Sequence, residues 1–397
     1  MSKKSHILPI GVYLCGLGAL LLSDIIATKY LSTQDISTWA EIRSLIGICS
    51  VLCLVGLDQA FVRHPESSRK LFKALTIQIP LIATAISIVA FVSGLTKDIL
   101  SIIGLCIGSA GALALFQYYR IHNFKSASQL AQQLWKIFAL LAVVVFALKQ
   151  QSISLSNSIA IAMIGALALT AAPLTLERFR PQKNLTSTSM ASLYAIGLRF
   201  LITSLLLSLA IYAEQLVVSY FGGKEYSALY FTHATYFLFP ISVANGYIAF
   251  NLAPWIKNNH AKFTNTLQNN KLKVLAIVVF YAILTTLAGW LAWIALAPAI
   301  SQPNALLILL LFTISILRTL YLFPGGYFGV FGKPSHHDKL IRLQIFSLLI
   351  SMIVFCLAFY GLAVNILYST AVASLTNWLL RTISGFSIIK LIENENN

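Results

Sequence analysis

Residues 24–43 read DIIATKYLSTQDISTWAEIR, and residues 214–233 read EQLVVSYFGGKEYSALYFTH. At a fixed offset of 190 several residue classes coincide. Asp24 aligns with Glu214, Tyr30 with Tyr220, Asp35 with Glu225, Ser37 with Ser227, and Arg43 with His233. Farther on, Gly56 aligns with Gly246 without a gap, and the offset is close to half of the 397 residues. One acid–aromatic–acid–base pattern is therefore written twice, each time in apolar surroundings. This predicts a duplicated chain whose halves repeat in parallel, related by an axis along the membrane normal.

The apolar surroundings set the solvent. The chain is 58% hydrophobic and 10% charged, with a mean hydropathy of +0.81. A soluble domain carries about a quarter charged residues, so this sequence has too few to cover a water-facing surface and its solvent is mostly lipid. The five cysteines (Cys15, Cys49, Cys53, Cys106, Cys356) all lie in apolar runs without metal-ligand spacing. They read as small packing residues. The basic MSKKSH start leads into a long apolar run with no small-residue cleavage site, so the first helix reads as retained.

A helix needs about 20 apolar residues to cross a bilayer. Twelve such runs are predicted: 7–28, 36–61, 75–94, 98–118, 132–148, 157–176, 191–219, 227–255, 273–297, 304–322, 341–361 and 363–386. The expected fold is an all-α polytopic membrane protein with two six-helix bundles: residues 1–180, a cytoplasmic linker 181–190, and residues 191–397. The linker belongs to RFRPQKNLTSTSM (178–190), with its basic residues, Pro181 and Ser/Thr cluster. Pro240, Pro254, Pro298 and Pro324 are expected to bend or end spans in the second half.

Lysine and arginine give the orientation. With a cytoplasmic N-terminus, outer loops hold Lys29, Lys97, Lys149 and Lys224, and inner segments hold twenty-one cations, Lys136 and Arg381 among them. Both termini are then cytoplasmic. The net charge of +16 becomes a topology signal beside anionic headgroups, and nucleic acid is not an expected partner. The NLT sequon at 184–186 faces the cytoplasm on this topology and is disregarded.

Asp24 and Glu214 fall near the outer ends of spans 1 and 7, with Arg43 and His233 about two turns inside spans 2 and 8. A charge at mid-membrane costs about 2.5–3.5 kcal/mol on insertion scales, and pairing Asp24 with Arg43 and Glu214 with His233 lowers that cost. Two structural ion pairs, or a polar lumen between the halves lined by spans 1, 2, 7 and 8, both account for the repetition. Arg199 and Arg318 lie near the inner ends of spans 7 and 10, where they snorkel or meet an anionic headgroup. Tyr30, Trp39, Tyr220, Tyr226, Tyr230 and Tyr236 read as an interfacial belt or as sugar-stacking rings. His336 and His337 read as a solvated loop pair.

Residues 31–66, LSTQDISTWAEIRSLIGICSVLCLVGLDQAFVRHPE, resemble the first hairpin of bacterial polysaccharide transporters of the multidrug/oligosaccharidyl-lipid/polysaccharide (MOP) exporter superfamily. The resemblance rests on the ending Gly56-Leu57-Asp58-Gln59-Ala60-Phe61-Val62-Arg63, on YFGGKEYSALY in the second half, and on the span count. It implies a V-shaped alternating-access O-antigen flippase in the bacterial inner membrane. Such a protein moves an undecaprenyl-diphosphate-linked oligosaccharide to the outer leaflet. It implies membrane lipids, a polysaccharide polymerase and a chain-length regulator as partners, and no cofactor or metal beyond a coupled proton or sodium gradient. It implies cationic lumen residues, with Arg43 and Arg199 matching by location and His233 at the family's second-half basic position. The charge and aromatic pattern of the sequence adds Arg318, Tyr30 and Tyr220 as diphosphate or sugar residues, and Asp24 and Glu214 for ion coupling or gating. The alternatives are a cation-coupled multidrug exporter of the same superfamily and a membrane-embedded polymerase or glycosyltransferase. The short outer loops, the missing DxD carboxylate pair and the missing nucleotide-binding glycine loop speak against an enzyme.

Overall fold

The computed structural model describes residues 7–92, 98–149, 154–175, 189–300 and 302–396. Residues 181–188 of the expected linker, the sequon and Lys3, Lys4, Lys97, Arg178, Arg180 and Lys183 lie outside the described residues, and the linker's last residue, Met190, begins a helix. All regular elements among the described residues are helical. Ten helices among them are long and apolar enough to cross a membrane. The chain forms two compact units, Met1–Tyr212 and Ala213–Asn397, and the division runs inside one long helix.

The first unit contains α1 (Ile7–Tyr30), α2 (Thr33–Leu54), α3 (Leu57–Arg63), α4 (Ser68–Val92), α5 (Ile99–Ile121), α6 (Lys125–Lys149), α7 (Leu155–Ala171) and the first arm of α8 (Met190–Phe237). Short polar side chains start these apolar helices. Ser32 accepts from the Asp35 backbone N–H (3.2 Å) and Asp98 from that of Ser101 (3.1 Å), each satisfying a donor that the first turn leaves open. Cys53, Leu54, Leu57, Phe61, Leu71, Tyr118 and Tyr119 pack in one core. Its polar atoms are paired: the Tyr119 hydroxyl donates to the Thr170 carbonyl (2.8 Å), and the Gln78 amide donates to the Cys53 carbonyl (2.9 Å).

The second expected span ends early, at Leu54, because Val55 (φ 49°) and Gly56 (φ 69°) are left-handed. The GLDQAFVR sequence then forms α3, burying Leu57, Ala60 and Phe61, while Arg63 lies over the Phe200 ring at 4.6 Å. A side chain on Gly56 would run into the Gly197 carbonyl of α8, so two glycines bring these backbones together. Gly56→Ala is expected to cost about 2 kcal/mol or more through left-handed strain alone. Gly18→Ala, in open space on α1, serves as the control and should be neutral or slightly stabilising. Thermal unfolding of the two purified variants distinguishes them; equal small shifts would contradict the close approach.

The second unit contains the rest of α8, then α9 (Phe239–Asn258), α10 (His260–Asn269), α11 (Lys271–Leu296), α12 (Ala305–Phe331), α13 (Pro334–Cys356) and α14 (Ile366–Asn396). Gly223 (φ 75°, ψ −173°) breaks α8. At the 190 offset it falls on Thr33, the first residue of α2, so the break takes the place of the turn between α1 and α2. Gly246 sits inside α9 without the positive φ of Gly56, so that glycine match is one of register and not of backbone role. Pro240 starts α9 and Pro324 lies within α12. The break near Gly361 is a π-turn at Leu357–Gly361 followed by α14.

His336 and His337 are not a solvated pair: both are buried in the first turn of α13. The Lys333 N–H donates to His336 Nδ1 (3.1 Å), so Nε2 carries the proton and donates to Glu395 Oε1 (3.1 Å). Lys333 Nζ donates to the other oxygen of Glu395 (3.1 Å). These hydrogen bonds, His336 first and Lys333 second, hold the Glu395 carboxyl below its ordinary 4.5. A depressed carboxyl pKa contributes stability above the ordinary value and loses it as pH falls through the folded value. The protection of amides in the last turn of α14 against hydrogen exchange should therefore fall as pH drops below 4.5. In Glu395→Gln it should be low already at pH 7; high protection there would contradict the clasp.

Candidate functional site: two buried charge sets

In the first unit Asp24 is 1% exposed on α1. It accepts from Trp39 Nε1 (2.9 Å) and from Arg43 Nη2 (3.1 Å), so the expected Asp24–Arg43 pair is present. Trp39 and Arg43 are four residues apart on α2, hence on one helix face. Trp39 is wholly buried, which takes it out of the expected interfacial belt.

A further cation completes this set. Lys136, counted above with the inner segments, lies near the middle of α6 and is half-buried. Its ammonium donates to Gln133 Oε1 (2.7 Å), a neutral acceptor, and it stands near enough to Arg43 for the two positive charges to repel. Gln133 is wholly buried in the space that Gly16 leaves on α1. Glu41, on another face of α2 from Arg43, is half-buried and accepts from the Ser37 hydroxyl (3.4 Å).

In the second unit Glu214 is 8% exposed. It accepts from Arg318 Nη2 (2.5 Å), from the Ser374 hydroxyl (2.6 Å) and, through a short bond, from the Tyr230 hydroxyl. The expected Glu214–His233 pair is replaced by Glu214–Arg318. His233 is wholly buried, and both ring nitrogens are used elsewhere. Nδ1–H donates to the Leu229 carbonyl (2.8 Å), and Nε2 accepts from the Asn304 N–H (2.8 Å). That arrangement fixes a neutral imidazole at the start of α12, where Asn304 also caps the helix through Leu307 N (3.0 Å). The Arg318 guanidinium lies over the Trp378 ring at 5.0 Å and Arg381, wholly buried, lies 6.0 Å from the same ring. Ser374, Trp378 and Arg381 succeed one another on one face of α14.

The two sets repeat in kind. A carboxylate accepts from an aromatic residue beyond the next turn or helix break (Trp39 on α2, Tyr230 past Gly223 on α8) and from an arginine, and a second cation stands nearby (Lys136, Arg381). The arginine changes helices, from α2 to α12, because position 233 holds a histidine that is already engaged. Tyr30 and Tyr220 are 63% and 71% exposed, and Arg199 is exposed on α8 in the first unit, so none of the three joins either set. Tyr230 and Tyr236 are buried and leave the expected belt, whereas Tyr226 is 38% exposed.

No family model matches the sequence, and no curated protein matches it. Solved structures do match over nearly the whole length. The MATE multidrug transporter DinF-BH, solved as a complex, superposes with a TM-score of 0.62 at 13% identity, covering all of this chain and 98% of that one. An outward-facing multidrug resistance MATE family transporter of the MOP superfamily gives 0.61 at 14% identity, covering 97% of this chain and 94% of that one. A MATE in complex with MaD3S gives 0.61 at 14% identity over 97% and 95%. This chain has the MATE transporter fold. At such identity the likeness describes the fold, and the chemistry has to be read from the site. With ten helices among the described residues long and apolar enough to cross a membrane, the protein is a multi-pass membrane protein.

Proposed function

We propose that this chain is a transporter of an anionic amphiphile, of the class of a diphosphate-linked oligosaccharide on a polyprenyl carrier in a bacterial inner membrane. The observation that carries the reading is the charge balance of the two sets. Asp24 and Glu214 are each already matched by an arginine, and a further cation, Lys136 or Arg381, stands beside each pair. Cationic side chains standing beside each carboxylate–arginine pair in apolar surroundings favour a negative ligand. Guanidinium forks and an ammonium suit phosphate oxygens.

The second reading is a cation-coupled multidrug exporter. On fold alone it is the better supported, because the matched structures described above are MATE proteins and two of them are described as multidrug transporters. Glu41, half-buried on α2, is the carboxylate that would serve it. Depleting the protein in its host separates the two. The first reading expects single lipid-linked repeat units to accumulate on the cytoplasmic face while surface polymer is lost. Normal sidedness with raised sensitivity to cationic drugs would establish the exporter instead.

A further inference from the structure

We propose that a groove on the first unit, between α4, α5 and α7, holds an acyl chain of an anionic phospholipid whose phosphate sits at Arg69 and Lys73. The groove encloses about 230 Å³, and its walls include Phe72, Ile79 and Pro80 from α4, Gly111 and Leu115 from α5, and Leu167 from α7. It is independent of both charge sets. Its walls are apolar apart from Thr76, whose hydroxyl is turned onto the Lys73 carbonyl (2.8 Å). A side chain on Gly111 would come within 2.8 Å of Leu167, so this glycine sets the close approach of α5 and α7 at the floor. Sugars and other polar cargo gain nothing from such walls, whereas a hydrocarbon chain does.

Charge identifies the headgroup. Arg69, Lys73, Thr76 and Pro80 are spaced four, three and four residues apart, which puts them on one face of α4. The two cations are exposed and stand at the N-terminal end of the helix, with the groove beginning directly above them at Phe72 and Thr76. The lysine and arginine bias assigns that end to the cytoplasmic leaflet, where anionic lipids meet basic residues. A lipid seated here has its tail in the groove and its phosphate between the guanidinium and the ammonium.

The test is native mass spectrometry of the full chain released from micelles containing equal phosphatidylglycerol and phosphatidylcholine, with size-exclusion elution checking the fold of each variant. The wild type should retain phosphatidylglycerol in preference to phosphatidylcholine. Each cation near an anionic headgroup is worth about a fivefold change in affinity, so R69Q/K73Q should retain phosphatidylglycerol roughly 25-fold less well. Thr76→Phe, which fills the groove mouth and leaves both cations in place, should lower retention of both lipids. Equal retention of the two lipids by the wild type would overturn the proposal, as would unchanged phosphatidylglycerol binding in R69Q/K73Q. It would also fail if polyprenyl phosphate, added in place of phosphatidylglycerol, were retained through Arg69 and Lys73 while phosphatidylglycerol was not.

Discussion

Arg318→Ala is expected to destabilise the second unit by about 3–5 kcal/mol, the range for removing one partner of a buried ion pair. The cause is the carboxylate left behind. Glu214 is 8% exposed, and its remaining donors, Ser374 and Tyr230, are neutral hydroxyls. Two hydroxyls cannot replace a cation in a low-dielectric interior, so the charge stays uncompensated. Removing both charges together should be far milder. Glu214→Gln with Arg318→Met keeps the shape and removes both charges of the pair, and should recover most of the loss. Thermal unfolding in detergent reads both variants. A double variant as unstable as Arg318→Ala would mean that the guanidinium acts chiefly through packing on Trp378, 5.0 Å away.

The second large effect concerns transport. A charge-assisted hydrogen bond is worth about 1.5–3 kcal/mol. Losing one contact to a diphosphate should therefore slow translocation at subsaturating substrate by roughly tenfold or more. Lys136→Gln is the cleaner variant. Its ammonium has the neutral Gln133 oxygen as acceptor, so removing the charge leaves no carboxylate unbalanced. It also relieves the repulsion with Arg43. A loss of transport without a loss of stability is therefore the expected signature. Arg43→Ala should reduce transport and stability together, because Asp24 would keep only Trp39 as a donor among the contacts described. If Lys136→Gln transports an anionic cargo normally, Lys136 has no part in binding it.

Much of this was legible in the sequence, for physical reasons. Long apolar runs betray membrane helices whatever their partners, and the echo at 190 placed Asp24 and Glu214 as equivalent groups. Asp24–Arg43 was readable because both residues sit in one hairpin, nineteen positions apart. Glu214–Arg318 was not: its partners are 104 positions apart, and periodicity does not say which of several helices will face the carboxylate. His233 misled because its type and register matched Arg43 while its nitrogens served the start of α12. Lys136 hid among basic residues that mark a membrane side. The neighbouring Gln132 and Gln133, polar residues inside the predicted run 132–148, were the signal that this end of the helix is lined for a charge. The same holds for His336, whose partner Glu395 lies 59 positions downstream, and for His337, which packs on the Phe328 ring.

The most direct measurement uses the purified protein in liposomes and compares three cargoes: a polyprenyl-diphosphate-linked oligosaccharide, a neutral polyprenyl-linked oligosaccharide, and a cationic dye. The account predicts translocation of the diphosphate-linked cargo, little of the neutral one, and a loss with Lys136→Gln. Transport of the dye driven by a proton or sodium gradient, abolished by Glu41→Gln and indifferent to Lys136→Gln, would contradict it.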